Sequence, residues 1–333
     1  MPLLSQAAEV AFDPYADAVD RAKSKEPMVR RKAIDDLGRL RRPEAIPVLL
    51  PLLADENPFV RSAAVDALGL MRAGQAVPAL SQILKNDKVA TVRQSAATSL
   101  AYIGDPASAD ALILALSDGE AAVRYAAART LGAMRSPKAV GALSKAAQDA
   151  DAGLKRAAIG ALGMIGDRSA VPALQASMAD PDAAMRAEAA KALGNLSDPA
   201  NAPLLEPALK DAQPAVRLQA ALSLARLGNA AGGETAYEGL KDADSANRQQ
   251  AANVIALVGD AKRGLKALKD ASAAEKDLNT KGVMALAATQ LQARLGISDA
   301  ADKTQATPAA TPAATPAAKP AVKPAAKPTP NTK

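Results

Sequence analysis

One arginine returns through this chain at nearly constant intervals. It stands at Arg30, Arg61, Arg93, Arg124, Arg186, Arg217 and Arg248, with Lys155 in the gap, and the steps are 31, 32, 31, 31, 31, 31 and 31 residues. Three positions after each comes alanine without exception: Ala33, Ala64, Ala96, Ala127, Ala158, Ala189, Ala220 and Ala251. Seven positions after come Leu37, Leu68, Leu100, Leu131, Leu162, Leu193, Leu224 and Ile255, most often followed by glycine. One position before stand Val29, Val60, Val92, Val123, Leu154, Met185, Val216 and, out of pattern, Asn247. Apolar positions at −1, +3 and +7 fall on one face of an α-helix. The chain therefore uses one amphipathic helix eight times.

Its ends are punctuated. Pro27, Pro58 and Pro214 sit where the first turn begins and a missing N–H costs nothing; Gly104, Gly166, Gly228 and Gly259 suit the C-terminal end. Between successive copies lies a second apolar segment, such as "GQAVPALSQILKND", which predicts a shorter helix of about ten residues. Pairs this small cannot bury their apolar stripes alone and must stack on their neighbours. With a first helix at 14–23 and a last at 279–295, the prediction is an all-α, right-handed α-solenoid of nine helix pairs over residues 14–297. An N-terminal extension (1–13) precedes it and a disordered Ala/Pro/Lys-rich tail (298–333) follows.

Composition narrows the chemistry. Apolar residues make up 49% of the chain but aromatic ones 2%, so the core must be Ala, Leu, Val and Ile, which suits closely approaching helices. With no cysteine and no histidine, disulfides, thiolate nucleophiles, zinc clusters and imidazole acid–base catalysis are excluded. No catalytic, cofactor-binding or metal-ligating residue is expected. Of the formal charge of +6, residues 302–333 carry +4 through five lysines and one aspartate, so the body offers little support for nucleic-acid binding. No apolar run approaches the roughly 20 residues of a membrane span. The start as given predicts a cytoplasmic protein, although Leu3-Leu4 followed by Ser5-Gln6-Ala7 resembles the end of a signal peptide, and a start further upstream would make the chain exported.

The pattern D-x4-V-R-x2-A-x3-L-G with this period resembles the short HEAT-like repeats named from phycobilin lyase subunits, across about residues 14–295. The resemblance identifies fold better than function. Deoxyhypusine hydroxylase also uses HEAT repeats, but its iron sites need His-Glu motifs that a chain without histidine lacks. HEAT-like DNA glycosylases read bases with aromatic residues in a basic groove, and this chain has no tryptophan.

Six residues before the repeated cation stand Asp55, Asp87, Asp118, Asp149, Asp180, Asp211 and Asp242. There an aspartate can cap the second helix and meet an arginine of its own or the adjacent repeat. In HEAT repeats such positions form a ladder, and the resemblance implies the same here. A group that recurs seven times at fixed spacing is architecture rather than catalysis. Repeat five departs from it: Lys155 replaces arginine, Arg156 follows, and Gly153 and Gly160 flank and interrupt the helix, which predicts a soft joint.

Positions +1, +5 and +9 are left to face outward: Arg31, Asp35, Arg39, Asp66, Gln94, Thr98, Tyr102, Tyr125, Arg129, Arg156, Lys191, Leu218, Arg226 and Gln249. By the family resemblance this is the concave, partner-binding face. Tyr102 and Tyr125 with Arg129, Arg156, Lys191 and Arg226 would form an aromatic patch beside a basic stripe, the residue types that carry interface energy. In the tail, proline at every fourth position from Pro308 to Pro328 forbids helix, and its lysines suit a solubilising tether or contact with an anionic polymer. The expectation is a non-enzymatic scaffold holding a protein or peptide, with a lyase-type enzyme subunit or a tail-mediated polymer binder as alternatives.

Overall fold

Pro27, Pro58 and Pro214 each begin a helix, as their fixed φ and missing N–H favour. The computed structural model describes residues 12–297, and every regular element among them is helical. The helices run in pairs. These are α1 (Pro14–Arg21) with α2 (Pro27–Leu40), α3 (Ile46–Leu49) with α4 (Pro58–Leu70), and α5 (Val77–Asn86) with α6 (Ala90–Ile103). Next come α7 (Ala109–Ala115) with α8 (Ala121–Ala133), α9 (Val140–Ala146) with α10 (Ala152–Ile165), and α11 (Val171–Ser177) with α12 (Ala183–Asn195). The last three are α13 (Ala202–Leu205) with α14 (Pro214–Arg226), α15 (Gly233–Gly239) with α16 (Ser245–Val258), and α17 (Arg263–Ala274) with α18 (Leu278–Leu295). The described residues thus hold the nine predicted pairs. The N-terminal eleven residues and the proline-rich tail lie outside them.

Each even-numbered helix packs on the even-numbered helices before and after it, and on the odd-numbered partner of its own repeat. The odd-numbered layer is the more irregular one. Pro51 and Pro207 remove helical hydrogen bonds, so α3 and α13 stop after one turn and continue as tighter turns, Leu50–Ala54 and Glu206–Lys210. The repeated +3 alanines and +7 leucines are buried throughout, and from Ala33 to Leu224 they belong to one contiguous core.

The Leu-Gly signature has a packing cause. A Cβ on Gly69 would lie 2.6 Å from Ser99 Cβ, on Gly132 2.7 Å from Ala161 Cα, on Gly163 2.7 Å from Ala192 Cα, and on Gly194 2.6 Å from Ser223 Cβ. Position +8 of one repeat therefore presses on position +6 of the next, and at these four positions hydrogen is the substituent that fits. Where Ala101 takes the glycine's place, Thr130 stands opposite and donates its hydroxyl to the Ala97 carbonyl at 2.9 Å.

Gly104, Gly166 and Gly228 end their helices at φ of 73°, 75° and 78°, the left-handed cap that glycine permits. Gly259 departs from that expectation, with φ −64° and ψ 153°. It is a close-approach glycine instead: a Cβ there would meet the Ile255 carbonyl oxygen at 2.5 Å, and its own carbonyl accepts from Arg294. No helix among the described residues is long and apolar enough to cross a membrane.

Candidate interaction surface

The recurrent arginine is a cross-link with a fixed direction. Arg61 donates Nη1 back to the carbonyls of Asp55 (2.9 Å) and Glu56 (3.2 Å), and its Nε and Nη2 forward to the two carboxylate oxygens of Asp87 at 2.7 and 2.8 Å. Arg30 grips Asp55 in the same way, Arg93 grips Asp118, and Arg186 grips Asp211. Arg248 ends the series on Glu275. Lys155 keeps its rung with one bond to Asp180 at 2.8 Å. The aspartate does not cap the second helix directly. Its Oδ1 accepts the backbone N–H two residues on, as Asp87 does from Val89, and so holds the turn before that helix.

These bonds set the electrostatics. The Arg93, Lys155 and Arg186 hydrogen bonds hold Asp118, Asp180 and Asp211 below the usual carboxylate range. At Asp55 and Asp87 burial pushes the other way, and the arginine and backbone donors overcome it. Glu275, gripped by Arg248, falls to about 2.

Two rungs break the register. Arg124 passes over Asp149 and takes Asp151 at 2.5 Å, which also accepts the Tyr125 hydroxyl at 2.5 Å and the Gly153 N–H at 2.9 Å. Tyr125 and Arg124 together lower Asp151 to about 2. Asp149 keeps only a turn role, accepting the Asp151 N–H. The cause is Gly153, where a Cβ would fall 2.4 Å from Tyr125 Cζ; its absence lets the ring lie down against α10. Arg217 is held by the carbonyls of Asp211 and Ala212 but reaches no carboxylate among the described residues. Asp242 Oδ1 is taken by the Asp244 N–H and by Asn247 Nδ2 at 3.2 Å, from the one −1 position that is polar.

The outward rows also need correction. Tyr125 is half-buried and built into its rung, and Leu218, 1% exposed, packs under Gly239; these two +1 side chains lean toward the next repeat. Tyr102, Arg129, Arg156, Lys191 and Arg226 are exposed as expected. Lys191 pairs with Glu188 at 3.3 Å.

The +9 row was missed as a row. Leu70, Tyr102 and Met164 are 49%, 51% and 43% exposed, with Ala133 between the last two. Three grooves run beside these side chains, over α2 and α4, over α6 and α8, and over α8, α10 and α12; the last two share Tyr125 and Arg129. Gly153 and Gly160 line the third. The signal was present in the sequence: Leu70, Tyr102, Met164 and Leu257 all stand at +9, where the helix face should be polar. In the first groove, burial pushes the Asp66 carboxyl up, and Asp35 adds repulsion against a lowering hydrogen bond from Ser95. No group of acidic side chains among the described residues is arranged to hold a metal ion.

A tandem of helix pairs, bound by a half-buried Arg–Asp ladder and exposing one groove-bearing layer, defines an α-solenoid of the HEAT type. The family model for HEAT repeats matches residues 16–101, 77–154, 140–225 and 201–289, and the chain belongs to that family. A sequence search of curated proteins finds no match. Among solved structures, Escherichia coli YibA is similar at 23% identity and a TM-score of 0.52, over 81% of this chain and 97% of that one. The complex of CpcE and CpcF of the Nostoc phycocyanin lyase is similar at 22% identity and a TM-score of 0.43, over 78% and 98%. Human deoxyhypusine hydroxylase, solved with glycerol, is similar at 22% identity and 0.35, over 73% and 95%.

Proposed function

We propose that this chain is a non-enzymatic interaction scaffold whose even-numbered helices hold a polypeptide partner. The observation that carries the reading is the row Leu70, Tyr102 and Met164, large apolar side chains left in water beside grooves, of which the two at Tyr102 and Met164 share Tyr125 and Arg129. Elsewhere in the repeat the recurrent polar groups are largely consumed by architecture: the repeated cations by carboxylates and backbone carbonyls, the turn aspartates by backbone N–H groups. A surface that keeps apolar groups exposed at repeat spacing is suited to an elongated ligand.

The test is capture of partners by the intact protein and by Tyr102→Ala/Arg129→Glu/Met164→Ala, with helical circular dichroism to verify folding. The variant should lose the captured partners, while Lys138→Glu on the odd-numbered layer should keep them. A folded triple variant that retains every partner refutes the assignment of the face. The lysines of the 298–333 tail support a second, separate contact with an anionic polymer; deleting the tail should then abolish a salt-sensitive component of binding.

A further inference from the structure

We infer that the groove across α6, α8 and α10 takes an extended, acidic segment of another polypeptide, with apolar anchors at every third residue. This deepens the scaffold reading and rests on it.

Charge is the first argument. Within the paired grooves Asp182 is occupied as the N-cap of α12, accepting the Ala184 N–H at 2.8 Å, and Glu188 is occupied by Lys191. Arg129 and Arg156 line the same walls, are exposed, and donate to no side chain of the described residues. The groove thus presents two unmatched guanidinium groups, each able to take a carboxylate with two parallel hydrogen bonds. The chain's own tail is the wrong occupant: residues 302–333 hold five lysines against one aspartate and would be repelled.

Spacing is the second. Packed helices lie about 8–10 Å apart, and an extended or polyproline-type chain advances about 3.1–3.4 Å per residue, so crossing one repeat uses about three residues. Tyr102 and Met164 form ridges two repeats apart, and the small Ala133 between them leaves a socket. An apolar side chain set there, with carboxylates on the adjacent edge of the ligand, meets both features at once.

Synthetic peptides of four Leu-Glu-Pro triplets provide the probe, because a polyproline helix has three residues per turn and keeps all leucines on one edge. They are compared with Leu-Lys-Pro and Ser-Glu-Pro counterparts and with single-stranded oligothymidine, by fluorescence anisotropy on the full chain. The Leu-Glu-Pro peptide should bind at least about tenfold more tightly than either counterpart, weaken as salt rises, and lose its advantage over Leu-Lys-Pro in Arg129→Glu/Arg156→Glu. If the Leu-Lys-Pro peptide binds equally well and Met164→Asp abolishes that binding, the groove stands and the acidic occupant is wrong. Oligothymidine binding more tightly than every peptide also overturns the acidic peptide. If no peptide binds, or binding ignores all groove substitutions, both this inference and the scaffold reading fall.

Discussion

Two glycine-to-alanine substitutions should move stability in opposite directions. Gly163 is buried in α10, and a methyl there would sit 2.7 Å from both Cα and Cβ of Ala192 on α12. Carbon atoms prefer about 3.5–4.0 Å, so the two helices must part by about 1 Å, along a seam where Leu162, Leu193 and Ala189 have no exposed surface. Overpacking of this kind costs about 1–3 kcal/mol. The intrinsic preference of helices for alanine over glycine returns about 0.5–1 kcal/mol, leaving a net loss of about 1–2 kcal/mol. Gly282 is the control: it lies inside α18, and a Cβ there meets nothing within 4 Å. Gly282→Ala should gain the about 0.5–1 kcal/mol of helix preference with no offset. Urea unfolding followed by helical circular dichroism reads the difference; at an m-value of about 2 kcal/mol/M the two midpoints should separate by about 1 M. Hydrogen exchange locates it, because in a stack of nearest-neighbour contacts the loss belongs to α10 and α12. Midpoints that shift together, or a stabilised Gly163→Ala protein, would refute the account of the Leu-Gly signature.

The ladder makes further commitments. Arg61→Ala should cost about 1–3 kcal/mol by stranding Asp87, and a double-mutant cycle with Asp87→Ala should recover a coupling of about 0.5–3 kcal/mol; a coupling near zero would make the rung ornamental. Because Asp118, Asp151, Asp180, Asp211 and Glu275 all have lowered folded-state pKa values, their stabilising effect is complete above the unfolded carboxylate range of about 4 and lost as pH falls toward 2. The urea midpoint should therefore hold between pH 7 and 5 and fall steeply below pH 4; a decline already under way at pH 6 contradicts this. Amides of residues 228–244, beside the unpaired Arg217, should exchange faster than those of 150–165, where the rungs are closed. Asn247→Val should release Asp242 to Arg217 and slow that exchange; no change would assign the gap to another cause.

Local and periodic features were legible in the sequence. Helix pairs, proline starts, three of the four glycine caps and the ladder residues other than Asp149 and Asp242 follow from spacing, because each is a property of one helix or of one repeated position. What spacing could not supply was the partner of each group across the repeat boundary. The forward reach of each arginine, the pressing of +8 on +6, and the burial of Tyr125 against Gly153 depend on how two helices are rotated about each other. The soft joint predicted at repeat five meets a continuous α10 whose Gly153 is filled by a neighbour's ring. Asn247, already visible as the exception at −1, marks the junction where the cross-link is missing. The apolar +9 row was visible too, but only alignment of the repeats by their helix axes separates it from chance.

Because every closed rung runs from an arginine or lysine in one repeat to a carboxylate in the next, the stack has a head and a tail in the sense that a polar filament does. Cutting between repeats leaves unlike ends. The upstream piece finishes on a guanidinium held only by its own carbonyls; the downstream piece starts on an aspartate already satisfied by its own turn. Fragments beginning at a repeat boundary should thus tolerate their new end better than fragments stopping at one. By the same logic a whole repeat spliced in register brings one donor and one acceptor, and closes both of the junctions it creates.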